Sequence, residues 1–194
     1  DDITRIMENI LSVFPVTQLD FYLPKWVEML PAEHPLKQDL IECVKNVFAN
    51  VSEIKDAKIL DEAMLNKFDK VIIDAPCSGL GVIRRKPDIK WSKKPKDIRA
   101  LNNEQERILA VCSKYVKPGG ILVYSTCSIE PEENEKIVEE FLAKNQHFAY
   151  DDLRFYLPKQ LHGDLKSPYG YITLDPHIHG TDGFFVARLK KVKV

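Results

Sequence analysis

Apolar positions change their spacing along this chain, and each change predicts a different kind of structure. Ile3, Ile6, Met7, Ile10 and Leu11 recur at helical spacing until Phe14-Pro15 breaks the run. Val16 to Leu23 reads as an edge strand stopped by Pro24, and Trp26, Val27 and Leu30 as a further helical turn. Leu36, Leu40, Ile41, Val44, Val47 and Phe48 then form a long amphipathic stripe. Residues 1–57 are therefore expected to be a mainly helical segment. His34, between Glu33 and Pro35, sits in a loop and reads as structural or solvated.

From about Asp56 the pattern alternates strand with helix. Phe68-Asp-Lys70 leads into the β-branched run Val71–Ile73, which stops at Asp74 and breaks into Ala-Pro-Cys-Ser-Gly79. That is the pattern of a buried parallel strand delivering Asp74, Pro76 and Cys77 to its carboxyl end. A helix is predicted over 98–116, because Ile98, Leu101, Ile108, Val111, Cys112 and Tyr115 share one face, with Cys112 as a core residue. Lys117-Pro-Gly-Gly120 reads as a turn, Ile121–Tyr124 as a second strand, and Cys127 lies just beyond its end. Pro131, Glu132 and Glu133 suit the first turn of another helix, whose buried face is Ile137, Val138, Phe141 and Leu142.

Right-handed crossovers would place both strands in one parallel sheet. The two cysteines would then face one crevice at the edge where open α/β sheets hold their chemistry. Further on, 153–165 reads as irregular, 169–173 and 183–189 as strands, 175–183 as a loop and 190–194 as a solvated end.

Composition narrows the picture. With 194 residues and 44% apolar content the chain can bury one core, as one domain or one with an appendage. A net charge of -1 excludes a global polyanion-binding surface, so any such surface is local. Arg84, Arg85, Lys86, Lys90, Lys93, Lys94, Lys96 and Arg99 face only Asp88 and Asp97 over one short stretch that also holds Trp91. That patch suits phosphate contact and base stacking; the plainer reading is a solvated loop with Trp91 in the core. The four cysteines lie far apart without a C-x-x-C pair, which argues against zinc and disulfides and fits a reducing, cytoplasmic setting. His177 and His179 lack a third ligand at suggestive spacing, so no metal is expected. No apolar run reaches membrane-span length and no signal peptide is visible, so no membrane partner is expected; an opening at Asp1 without Met reads as a fragment.

Asp74-Ala-Pro-Cys-Ser-Gly79, Arg84-Arg-Lys-Pro-Asp88, Lys117-Pro-Gly-Gly120, Ser125-Thr-Cys127 and His179-Gly-Thr-Asp-Gly-Phe184 resemble the successive motifs of RNA cytosine-5 methyltransferases, in particular those acting on small-subunit ribosomal RNA. The match runs from about Asp56 to the C-terminus. It implies a Rossmann-like α/β fold that uses S-adenosylmethionine on an RNA substrate.

In that family a thiolate first adds to cytosine C6, making C5 nucleophilic enough to accept a methyl group, and a second group then assists release. The resemblance makes Cys127 of the Thr-Cys pair the nucleophile and Cys77 the residue that assists release. DNA enzymes attack instead from the Pro-Cys cysteine, which leaves Cys77 as the alternative nucleophile. Asp74 and Pro76 fall on the cofactor or base side, Asp56 aligns with the acid at the adenine ring, and Arg84, Arg85, Lys86 and Lys90 are the RNA contacts.

The family's Gly-rich cofactor loop has no counterpart, since residues 1–55 contain no glycine. The expected architecture is thus the C-terminal part of a methyltransferase domain, 58–194, following the helical segment 1–57. A sheet lacking its first strands has an open edge, from which marginal stability or oligomerisation is expected. Phe14-Pro-Val16, Leu23-Pro-Lys-Trp-Val27 and His34-Pro-Leu36 resemble part of stage IV sporulation protein A, a spore-coat morphogenetic protein. Two other functions stay open: an inactive remnant serving as an RNA-binding or interaction module, and a sporulation-related structural protein.

Overall fold

The computed structural model describes residues 56–166 and 168–192. The expectations for the helical segment, its sporulation-protein resemblance and Cys43 lie outside the described residues.

The first strand, β1 (Phe68–Asp74), starts earlier than its apolar run and ends at the predicted acid. A short helix α1 (Ile89–Ser92) and a long one, α2 (Pro95–Cys112), lead to β2 (Val116–Thr126). Helix α2 begins three residues before the predicted start because Pro95 occupies its first turn and Asp97 accepts the Lys94 N–H at 2.9 Å. It stops at Cys112, and a 3-10 turn, Ser113–Tyr115, completes the connection with Tyr115 still buried.

Strand β2 lies parallel to β1, with Val71 opposite Leu122 and Asp74 opposite Ser125. That register carries the two cysteine loops to the same sheet edge, as the alternating pattern predicts. Lys117-Pro-Gly-Gly120 is not the turn before the strand. Pairing begins at Phe68 and Val116 and resumes at Lys70 and Ile121, so 117–120 bulge out opposite Asp69. Lys117 Nζ closes the bulge on the Asp69 carboxylate at 2.9 Å.

Pro131–Glu133 is likewise not the first turn of a continuous helix. It is a separate 3-10 turn, and Asn134, at φ -117 and ψ -110, breaks the path before α3 (Glu135–Lys144). The chain continues through β3 (Phe148–Tyr150), which the pattern does not predict, and β4 (Tyr171–Leu174). The single turn α4 (Pro176–His179) falls inside the expected loop, and β5 (Phe184–Lys191) extends into the expected solvated end.

The sheet order is β1-β2-β5-β3, with β4 also on β5. Strand β5 is antiparallel to β2 along one edge; along the other it pairs with β4 over Phe184–Ala187 and with β3 over Leu189–Lys191. Its alternation divides two cores. Phe185, Ala187 and Leu189 pack with Ile108 and Leu109 of α2 and Ile137, Val138 and Phe141 of α3. Phe184 and Val186 pack instead with Leu153, Leu157, Leu165, Ile172 and Leu174, so the irregular 153–165 stretch forms the cover of the second face. Arg188, 2% exposed, is kept in this interior by the Asp151 carboxylate at 2.6 Å and the Tyr156 ring at 4.0 Å.

Candidate active site

Strands β1 and β2 end side by side, and the parallel pairing continues one step further, with the Ala75 N–H donating to Ser125 O at 2.9 Å. Each chain then turns out of the sheet. The first loop crosses Gly79, whose φ of +75 suits glycine, into a 3-10 turn, Leu80–Val82. Gly81 of that turn donates to Cys127 O at 3.0 Å and accepts from the Gly183 N–H at 2.8 Å. A Cβ on Gly81 would lie 2.3 Å from Gly183 O, so the contact requires glycine. Three loops, after β1, after β2 and before β5, are thereby fixed together.

The result is that Cys77 Sγ and Cys127 Sγ stand 3.2 Å apart, both half-buried and both reduced. The hydrogen bond they share holds Cys127 below the usual thiol range, while the same bond and burial push Cys77 well above it. The local help that a nucleophilic thiolate needs thus comes from the other cysteine, and Asp74 and Glu133 oppose it.

Asp74 is exposed at the end of β1. Desolvation pushes its carboxyl up to about 6, against a weak hydrogen bond from Ser125 at 3.5 Å. Pro76 is exposed, and its carbonyl accepts from the buried Gln105 amide at 2.8 Å. Asp56 is exposed at the start of the described residues.

The basic stretch divides. Arg84 Nε and Arg85 Nε grip opposite oxygens of the buried Asp182, at 2.6 and 2.7 Å, while both guanidiniums stay about half open. Lys86 and Lys90 are exposed. Trp91 is 78% exposed with Lys90 Nζ 5.2 Å from its ring centre, so the reading that buries this ring in the core is corrected: too few apolar neighbours surround α1 to cover it. His179 Nδ1 accepts the Asp175 N–H at 2.8 Å, and no metal-holding group of His, Cys, Asp or Glu exists among the described residues.

Sequence reasoning missed the acid beneath the thiols. Glu133 is fully buried, and its carboxylate accepts from Ser78, Ser128 and Gln105. The one signal was its four-residue spacing to Ile137 and Phe141, and it holds only in part, because Asn134 breaks the path between Glu133 and the helix that carries them. Gln105 falls in the stripe of α2 between Leu101 and Leu109. Asn134 was missed too; it accepts from Thr126 Oγ1 at 2.5 Å and donates to Ser128 O at 2.9 Å, holding both neighbours of Cys127.

Comparison with known proteins fits this site. The family model for 16S rRNA methyltransferase RsmB/F matches residues 39–190. A probable ribosomal RNA small subunit methyltransferase B of Bacillus subtilis (strain 168) is 41% identical over 142 residues, covering 72% of this chain and 31% of that protein. Ribosomal RNA small subunit methyltransferase B of Pasteurella multocida (strain Pm70) is 44% identical over 126 residues, 65% of this chain and 26% of the relative. Among solved structures, NSun6 from Pyrococcus horikoshii with SFG superposes with a TM-score of 0.62 at 29% identity, over 81% of this chain and 39% of that one.

The chain thus spans about a third of the length of these relatives. The resemblance of the first residues to a sporulation protein gains no support, and the family match begins at residue 39, ahead of the expected boundary. The fold is that of S-adenosylmethionine-dependent methyltransferases, present in part. The chain belongs to the 16S rRNA methyltransferase RsmB/F family.

Proposed function

We propose that this site serves methyl transfer from S-adenosylmethionine to C5 of a cytosine in ribosomal RNA, through a covalent bond between Cys127 Sγ and C6 of the base. The observation that carries the reading is the 3.2 Å thiol pair, whose shared hydrogen bond favours the thiolate of Cys127. Cys127 as thiolate adds to C6 and pushes electron density to C5. After C5 is methylated, its proton passes to solvent water, the electron pair of the C5–H bond re-forms the C5–C6 double bond, the C6–S bond breaks and Cys127 departs as thiolate. Cys77, still within hydrogen-bond reach, returns its S–H to that leaving sulfur and so favours release.

S-adenosylmethionine, when bound, supplies an electrophilic methyl group. The described residues fit one side of its site: Asp74 presents an accessible carboxyl next to the thiol pair, and Pro76 an exposed ring. The structural neighbour solved with SFG, an analogue of that cofactor, supports S-adenosylmethionine as the methyl donor. On the RNA side, Arg84 and Arg85 present half-open guanidiniums for phosphate, Lys86 and Lys90 add charge, and exposed Trp91 offers a face for a base.

The test is to incubate the chain with S-adenosylmethionine and cytidine-containing ribosomal RNA and examine denaturing gels. Cys77→Ser is expected to accumulate a protein–RNA adduct and Cys127→Ser to form none. An adduct retained in Cys127→Ser, or methyl transfer by that variant, overturns the assignment of the nucleophile.

A further inference from the structure

Glu133 is a costly residue to keep where it is. Its carboxylate is fully buried, and among the described residues no ion pair involves it. An apolar side chain of similar size would fill the space at no desolvation cost. The charge also works against the neighbouring chemistry, since it disfavours a thiolate on either cysteine. Neither stability nor thiol activation accounts for a carboxylate here.

What accounts for it is the origin of its donors. Oε1 accepts the Ser78 N–H at 2.7 Å, and Oε2 accepts the Ser78 hydroxyl at 2.5 Å and the Ser128 hydroxyl at 2.6 Å. Ser78 follows Cys77 and Ser128 follows Cys127, so one carboxylate holds the residue after each thiol. Gln105 adds a bond to Oε1 at 3.3 Å while its amide also holds Pro76 O, the residue before Cys77. Glu133 is itself anchored from the sheet, where the Tyr124 hydroxyl donates to its carbonyl at 2.8 Å. A neutral group of this size could not accept three strong donors from two separate loops at once.

We propose that Glu133 is a positioning residue that sets the distance between the Cys77 and Cys127 sulfurs. The two loops leave different strands, and their separation is fixed from below by this carboxylate. The catalytic meaning of that spacing rests on the function proposed above, but the spacing itself can be read without cofactor or RNA.

Phenylarsine oxide condenses with two thiols, forming two As–S bonds and releasing one water, only when both sulfurs can close on one arsenic. Iodoacetamide reports each thiol singly. The folded chain is expected to capture the arsenical in a manner lost in the Cys77→Ser/Cys127→Ser double variant. Glu133→Ala should weaken capture about tenfold or more while both cysteines still alkylate, the size expected for residues coupled through one network.

Glu133→Gln keeps the size and one accepting oxygen. It can meet only part of the donor set, so it should restore only part of the capture, and it should move the alkylation profile of Cys127 to lower pH, because a nearby negative charge is removed. Should Glu133→Ala fail to fold, Ser78→Ala/Ser128→Ala removes the two hydroxyl donors at little change in volume and is expected to weaken capture severalfold. Wild-type capture in folded Glu133→Ala, or in the serine double variant, overturns the proposal. Capture that behaves as described, in a chain that forms no RNA adduct, would leave this role standing and sink the proposed reaction.

Discussion

Replacing Gly81 by Ala tests whether the three loops at the sheet edge are held as one unit. The added Cβ would lie 2.3 Å from Gly183 O, 2.7 Å from Gly183 C and 2.8 Å from Cys127 O. All three atoms are backbone, so no side chain can swing away, and an ordinary carbon–oxygen contact needs roughly 3.3 Å. Relief demands a shift of about 1 Å, which breaks or bends the two hydrogen bonds through Gly81, at 3.0 and 2.8 Å. Losing two such bonds costs about 2 kcal/mol and the residual strain about 1 more. A loss near 3 kcal/mol is a large share of the roughly 5–15 kcal/mol of a whole domain and lowers the melting temperature by roughly 10 °C.

Urea denaturation followed by circular dichroism reads the change, with the slope unaltered if only the native state is affected. Gly163→Ala is the control, because a Cβ there meets nothing within 4 Å. The same Gly81→Ala sample should also lose phenylarsine oxide capture, since Cys127 O is one of the atoms displaced. A variant within about 0.5 kcal/mol of wild type would refute the claim that these loops are pinned through Gly81.

Two further outcomes follow from the site. Asp74 has a folded pKa raised to about 6, so the folded state binds its proton more tightly than the unfolded chain. Ionisation therefore removes stability as pH rises from the ordinary carboxylate range through about 6; Asp74→Asn, compared with wild type, should be level near pH 4 and more stable above pH 6, by about 1 kcal/mol once solvent access is allowed for, in paired thermal melts. Trp91→Ala should leave the melt within about 0.5 kcal/mol of wild type, because the ring is 78% exposed, yet weaken binding of single-stranded RNA by about 1–3 kcal/mol in a fluorescence titration. Unchanged RNA affinity would remove Trp91 from the proposed interface.

How much of this was legible in the sequence depends on whether the signal was local. The run Val71–Ile73 ending in Asp74, and the second run ending before Cys127, fixed a parallel pair with two cysteines at one edge, because periodicity and punctuation are read within a few residues. The bulge at 117–120 was not legible, since it exists only in relation to Asp69 of the other strand. Strand β3 has three residues, too short for a period to show, and owes its conformation to β5. Arg84 and Arg85 read as free cations because their partner Asp182 lies nearly a hundred residues away. Glu133 read as part of a helix first turn, and its burial was not legible because it depends on Ser78 and Ser128 of two loops and on the break at Asn134.

Strand β5 has a consequence for how the chain assembles on the ribosome. β1 and β2 can pair as soon as residue 126 has emerged, but β3 and β4 find their partner only in Phe184–Lys191. At about 5–20 residues per second the intervening stretch takes several seconds to synthesise. During that interval Leu153, Leu157, Leu165, Ile172 and Leu174 have only Ile121 and Val123 of β2 to pack on and lack Phe184 and Val186, and the β2 edge that will receive β5 is bare. Nascent chains halted before residue 184 should therefore bind holdase chaperones and yield to protease within 148–174, and extension by the last strand should end both at once.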